Sequence, residues 1–278
     1  MLTNQNENLE FNFLKFTFVC IDFKPIAMTD NIYQKILNAR RQGRKLFAVL
    51  IDPDKMSVEE VVGLVEQALL AKVDLFLVGG SLVVKDNLAI LIRRIKAVCE
   101  VPVLLFPGSI LQITEEADAL LFLSLISGRN PDLLIGQQVV AAPILKQMEL
   151  EVISTGYMIV DGGKPTTASY ITHSVPIPHD KPAIAACTAM AGELLGMKII
   201  YLDTGSGAEK AVSEAMLQQV RKHVDAPIIV GGGIRTPEMA VRICKAGADV
   251  IVVGTAIEKD EQVMFDLVEA VHSINLVL

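Results

Sequence analysis

The sequence predicts an α/β fold: a (β/α)8 TIM barrel, modified by a missing or reduced third helix, with its site at the C-terminal ends of the strands. Three observations predict it. From residue 46 onward, short apolar runs alternate with amphipathic stretches, the pattern of a parallel sheet covered by helices. The runs number eight, the count that closes as a barrel. The last two run straight into glycine turns, where such barrels commonly hold phosphate. An open doubly wound sheet is the competing fold.

The apolar runs are Leu46–Ile51, Asp74–Val78, Val103–Phe106, Ala119–Leu125, Val152–Val160, Lys198–Leu202, Pro227–Val230 and Val250–Val253. They are short and nearly continuous in apolar residues, as strands buried on both faces are. Helices are expected between them at Ser57–Ala71, Asn87–Val98, Asp132–Met148, Lys181–Leu195, Ser213–Val224, Pro237–Ala246 and Val263–Val271. Ser57 and Glu60 have capping-box spacing, and Pro237 follows Thr236 at a first turn. The stretch between Phe106 and Ala119 is too short for a full crossover helix with two loops. The third helix is therefore expected to be absent or a single turn, leaving a groove in the outer ring. A long Gly-, Pro-, Ser- and Thr-rich loop follows the fifth run, from Asp161 to Asp180.

With 278 residues, 51% of them apolar, the chain suits one large domain. Its formal net charge is −7 and it has no basic stripe, which argues against nucleic acid as a partner. No uninterrupted apolar stretch approaches the roughly 20 residues of a membrane span. Cys20, Cys99, Cys187 and Cys244 are widely spaced with no CxxC, which favours free thiols and a cytoplasmic location. Phe11, Phe13, Phe16, Phe18 and Phe23 supply five of the ten phenylalanines, ahead of Met28 and outside the barrel pattern. Residues 1–28 are expected to be an N-terminal extension, with a single domain at 29–278.

Two glycine turns carry the strongest chemical signal. Ile228–Val230 leads into Gly231-Gly232-Gly233-Ile234-Arg235, and Ile251–Val253 leads into Gly254-Thr255-Ala256. Glycine lets backbone N–H groups approach an anion closely. A branched side chain at Gly233 is expected to stand where the anion approaches. After the sixth run comes Tyr201-Leu202-Asp203-Thr204-Gly205-Ser206-Gly207. Asp203 is the candidate to orient or deprotonate a hydroxyl, Tyr201 offers a ring and an O–H, and Thr204 and Ser206 extend the polar pocket. The competing reading is a capping turn. Asp52, in Ile51-Asp52-Pro53, and Ser81, in Gly79-Gly80-Ser81, present hard oxygens on adjacent strand ends, a set that suits Mg²⁺. A plain turn before Pro53 is the alternative. The four histidines show no ligand spacing.

Together LIDPDK, VGGS, LLFPGS, GKPTTASY, PIPHDKP, YLDTGSGA, VGGGIRTPE and VVGTA resemble the geranylgeranylglyceryl phosphate synthases, the PcrB-related prenyltransferases, in their second group. The resemblance spans roughly residues 46–271. It implies ether-bond formation between sn-glycerol 1-phosphate and geranylgeranyl diphosphate, with release of pyrophosphate, and it implies Mg²⁺. It places the metal at Asp52 and Ser81. The glycerol phosphate site falls at Tyr201–Gly207, Gly232-Gly233 and Gly254-Thr255, with Asp203 and Tyr201 catalytic. It also implies a homo-oligomer and transient contact with a membrane surface for product release. Two departures stand out. First-group members carry a phosphate-holding lysine where this chain has Leu50, and Asp203 stands where many relatives have glutamate. The alternatives are another phosphosugar barrel enzyme, which needs no apolar groove, and a non-catalytic phosphometabolite binder, which has no use for Asp52, Ser81 and Asp203 together.

Overall fold

The computed structural model describes residues 31–275. The expected extension at residues 1–28 lies outside them. Eight parallel strands close into a barrel in sequence order. They are β1 (Leu46–Ile51), β2 (Leu75–Val78), β3 (Val103–Leu105), β4 (Ala119–Leu125), β5 (Glu151–Ile159), β6 (Ile199–Asp203), β7 (Ile228–Gly231) and β8 (Val250–Val253). Every expected strand forms, with ends within a residue, and the open sheet is excluded by the pairing of β1 with β8. The helices are α1 (Ile32–Arg41), α2 (Val58–Ala71), α3 (Leu88–Val98), α4 (Gln137–Leu145), α5 (Thr167–Ile171), α6 (Pro182–Leu194), α7 (Glu214–Arg221), α8 (Pro237–Ala246), α9 (Thr255–Lys259) and α10 (Gln262–Asn275).

Local chemistry sets the helix starts. Ser57 and Glu60 make the reciprocal capping box at α2. Thr236 caps α8 through the Met239 N–H, with Pro237 where a missing N–H costs nothing. Between β3 and β4 only a 3₁₀ turn forms, Ile110–Gln112, so the outer ring has the expected gap. The segment expected as one helix from Asp132 to Met148 begins instead as a π turn, Asp132–Gly136, before α4. Asp161–Asp180 is not wholly loop, since Thr166 and Ser169 cap the short α5.

The period of two divides the strand side chains. One set, with Phe47, Val49, Phe76, Leu105, Leu202 and Val230, packs outward against the helices. The other fills the barrel: Leu46, Ala48, Leu75, Leu77, Leu104, Ile153, Ile199, Ile229, Val250 and Val252. Ile32, Ile36 and Ala39 of α1 join this inner cluster, so α1 plugs the end of the barrel opposite the site. Asp249 secures the plug. It pairs with Arg221 at 2.8 Å, Lys45 at 3.5 Å and Arg40 of α1 at 3.6 Å.

The same end carries a repeated lock. Asp74, Asp118 and Asp249 immediately precede β2, β4 and β8. Each carboxylate accepts the N–H of the residue opposite, on the preceding strand: Phe47 at 2.8 Å, Val103 at 2.8 Å and Ile228 at 2.9 Å. Each aspartate N–H donates back to that same residue's carbonyl. β6 is preceded by Lys198, and there Ser154 offers only its hydroxyl and carbonyl to the Lys198 N–H.

Candidate active site

The inward period that fills the barrel also delivers its polar top. Ile199 and Tyr201 point inward, so Asp203 does too, and it ends β6 almost fully buried at 8% exposure. Its Oδ1 accepts the Gly205 N–H at 2.7 Å, and its Oδ2 accepts the Tyr157 hydroxyl at 2.6 Å. Burial holds the Asp203 carboxyl above its ordinary value, while the bonds from Tyr157 and Gly205 pull the other way. Burial, and then the neighbouring Asp203 charge, raise the Tyr157 hydroxyl well above its usual range, so it remains the donor. A carboxylate raised in this way is suited to take a proton from an alcohol.

Tyr157 was not among the residues singled out from the sequence. Period two from Ile153 places it inward, and its partner across the ladder is Tyr201. The Tyr157 ring meets Phe106 at 5.7 Å and Tyr201 at 5.6 Å, both edge-on, while Phe106 and Tyr201 stack at 5.1 Å. Tyr201 is 1% exposed, so its ring forms the floor of the site. Leu202, named with its neighbours as a site residue, faces the helix layer and is fully buried there. Strand alternation turns it away from the pocket.

The loops after β6, β7 and β8 meet over Asp203. Ser206 and Thr255 hydroxyls lie 2.9 Å apart. Gly232 has φ +82°, and a Cβ there would meet Thr204 Oγ1, lie 2.7 Å from the Gly205 N–H nitrogen and 2.9 Å from Asp203 Oδ1. Only glycine fits. Thr204 Oγ1 is buried with no hydrogen-bond partner, and the residue is 1% exposed. Gly233 needs its glycine for a different reason than expected. A Cβ there would strike the backbone of Lys210 and Ala211, not the space where an anion approaches. Gly254 sits above Leu50, whose carbonyl lies 3.0 Å from a Cβ built on it. The missing lysine of the first group thus leaves an apolar side chain beneath the β8 turn.

Across the mouth, Asp52 follows β1. Its Oδ1 accepts the Asp54 N–H at 3.1 Å, and the Lys55 ammonium lies 3.5 Å from Oδ2 and 3.1 Å from Glu258. The Asp52 carboxylate faces Gly80, the residue before Ser81, at 3.6 Å from a Cβ built there. Among the described residues no group of three or more His, Cys, Asp or Glu converges. A hard cation that keeps waters and substrate phosphate oxygens requires only one or two protein carboxylates, so Asp52 fits such an ion and a soft-metal cage is not built.

Between these two ends runs an apolar groove beside the 3₁₀ turn. Phe106, Ile110, Ile113, Leu121, Leu123 and Leu133 line it, and Gly80, Ser81 and Tyr157 stand at its inner end. The groove lies at the predicted gap in the helical ring.

Residues 38–272 match the PcrB family. The chain belongs to that family. It is 53% identical to the geranylgeranylglyceryl phosphate synthase of Chitinophaga pinensis over 251 residues, 90% of this chain and 100% of that protein. It is 42% identical to the synthase of the same name from Pyrococcus furiosus over 226 residues, 81% of this chain and 89% of the relative. Among solved structures it resembles the (S)-3-O-geranylgeranylglyceryl phosphate synthase of Thermoplasma acidophilum, which was solved with its substrate sn-glycerol-1-phosphate. The TM-score is 0.84 at 34% identity, covering 88% of this chain and all of that one. Tryptophan synthase alpha chain from Legionella pneumophila, 16% identical with a TM-score of 0.55, shares the fold alone.

Proposed function

We propose that this PcrB-family chain is a prenyltransferase that joins sn-glycerol 1-phosphate to geranylgeranyl diphosphate, giving geranylgeranylglyceryl phosphate and pyrophosphate. One observation carries the reading from geometry: the Tyr157 ring lines the apolar groove while its hydroxyl holds the Asp203 carboxylate. A group that touches both an apolar channel and a buried base belongs between a long apolar donor and a hydroxyl acceptor.

The glycerol phosphate lies on the Gly232-Gly233 and Gly254-Thr255 turns, with Tyr201, Thr204, Gly205, Ser206 and Gly207 closing the pocket around it. The prenyl chain lies in the groove, its diphosphate toward Asp52 and Ser81. These two residues would hold Mg²⁺, which supplies charge neutralisation to the departing diphosphate. Asp203 takes the proton of the acceptor's primary hydroxyl as that oxygen bonds to the first carbon of the prenyl chain. The carbon–oxygen bond to the diphosphate breaks, and the diphosphate leaves with the electron pair. Fixing both substrates converts a bimolecular encounter into an oriented one.

No helix among the described residues is long and apolar enough to cross a membrane. The product's chain nevertheless favours release at a membrane surface. Exposed Val139, Val140 and Ile144 on α4 support a homo-oligomer, and the free Cys99, Cys187 and Cys244 suit a reducing cytoplasm. Incubation with radiolabelled sn-glycerol 1-phosphate, geranylgeranyl diphosphate and Mg²⁺ should move label into the organic phase. Label that stays in water under these conditions would refute the reaction.

A further inference from the structure

We propose that Gln112 is a positioning residue for the cation and diphosphate end of the site, an inference that rests on the transferase reading above. Gln112 sits on the 3₁₀ turn that replaces the third helix, and at 4% exposure it is among the few buried polar side chains described. Its amide makes three bonds, all to backbone. Nε2 donates to the Gly80 carbonyl at 3.0 Å, and Oε1 accepts from the Gly108 N–H at 3.2 Å and the Gly80 N–H at 3.4 Å.

Those partners are the turns after β2 and β3, and the turns touch. A Cβ on Gly108 would run into the Gly80 carbonyl and lie 2.8 Å from the Ser81 carbonyl oxygen. No side chain fits between them, so one amide reaching around from the 3₁₀ turn fastens both. On its other side Gly80 faces the Asp52 carboxylate. The Gly80-Ser81 segment is thus held between Gln112 and Asp52. Mg²⁺ demands near-octahedral geometry at about 2.0–2.1 Å, so a small displacement of Ser81 changes the fit. Ile110 and Ile113, flanking Gln112, line the groove. The clamp therefore fixes the groove wall and the diphosphate end as one unit. It explains why the shortened crossover retains a buried amide where an apolar residue would pack as well.

Only a side chain with both a donor and acceptors at this reach satisfies all three groups. Gln112→Glu keeps the acceptor and loses the donor. Gln112→Met keeps the length and loses every bond. In the full chain, calorimetry measures Mg²⁺ with inorganic pyrophosphate and, separately, sn-glycerol 1-phosphate, alongside thermal melting. Outer contacts to metal ligands typically contribute 10- to 100-fold in affinity. Magnesium pyrophosphate affinity should fall by about 10-fold in the glutamate variant and further in the methionine variant, by up to about 100-fold. Glycerol phosphate affinity should hold within about twofold, because its turns lie across the barrel mouth. Unchanged pyrophosphate affinity in both variants would overturn the proposal. So would parallel loss of both ligands with a falling melting temperature, which marks Gln112 as a fold residue only. Wild-type protein that binds no magnesium pyrophosphate would overturn the transferase reading itself.

Discussion

Tyr157→Phe isolates one hydroxyl. The ring stays, so the contacts with Phe106 and Tyr201 and the inner end of the groove are preserved. What is lost is a 2.6 Å O–H···O bond to a buried carboxylate. Hydrogen bonds to charged groups contribute about 1.5–3 kcal/mol, and one pKa unit corresponds to about 1.4 kcal/mol. That bond lowers the Asp203 pKa against the upward push of burial. Its removal should therefore raise the Asp203 pKa further. The proposed mechanism uses the ionised form, so activity should be lost as pH falls through that pKa, and the acid limb of kcat/KM for glycerol phosphate should move to higher pH. On that limb the variant should be roughly 10- to 100-fold slower than wild type, with the gap narrowing as pH rises. KM for the prenyl diphosphate should barely change. A full pH profile of both proteins tests this. An acid limb that stays in place, or moves down, would refute the claim that Tyr157 sets the protonation of Asp203.

Three further perturbations probe the same site. Asp203→Asn should lower turnover by about 10²–10⁴-fold, the usual contribution of a general base. It should also stabilise the fold at neutral pH. A carboxyl whose folded pKa is raised supports the fold fully only below its unfolded pKa, and that support is lost as pH rises through the folded pKa. Melting curves should show the variant more stable near pH 7 and the advantage gone in strong acid; equal curves at both would deny the burial cost. Asp52→Ala should abolish turnover while changing stability by no more than about 1–2 kcal/mol, since it removes one turn hydrogen bond and a partly exposed ion pair with Lys55; full activity in added Mg²⁺ would remove Asp52 from the metal site. Gly232→Ala forces a left-handed backbone and a Cβ against Thr204 and Asp203. It should raise KM for glycerol phosphate at least about tenfold, a loss of 1.4 kcal/mol, with little effect on prenyl diphosphate. Equal effects on both substrates would point to misfolding.

The parts of this molecule that obey a local period or a spacing rule were legible in advance. The eight strands, the Ser57 and Thr236 caps and the shortened unit before Ala119 all depend on residues close in sequence. The positions of Asp203, Asp52 and the two glycine turns at the barrel mouth were legible because each lies at or just past a strand end. Tyr157 was not, because inside an apolar run it reads as one more core aromatic. Counting by twos from Ile153 would have placed it inward, opposite Tyr201. Gln112 was hidden in a segment where only length was informative, and its partners are 4 and 32 residues away. The plug by α1 depends on ion pairs that span from Arg40 to Asp249, a distance no local pattern encodes.

The aspartates at the closed end of the barrel bear on how the chain assembles. Three adjacent strand pairs, β1 with β2, β3 with β4 and β7 with β8, are each buttoned by the same two-bond exchange. Each button joins neighbours separated by a single crossover, so it can close as soon as that unit collapses, before the ring is complete. The pair of β5 with β6 has no carboxylate to close it. The barrel is thereby divided into three pre-fastened quarters and one that takes its alignment from the others. That last quarter carries Tyr157 and Asp203. In native-state hydrogen exchange, the first amides of β5 and β6 should open at lower free energy than those of Phe47, Val103 and Ile228. The reacting centre would then be the last part of the ring to set.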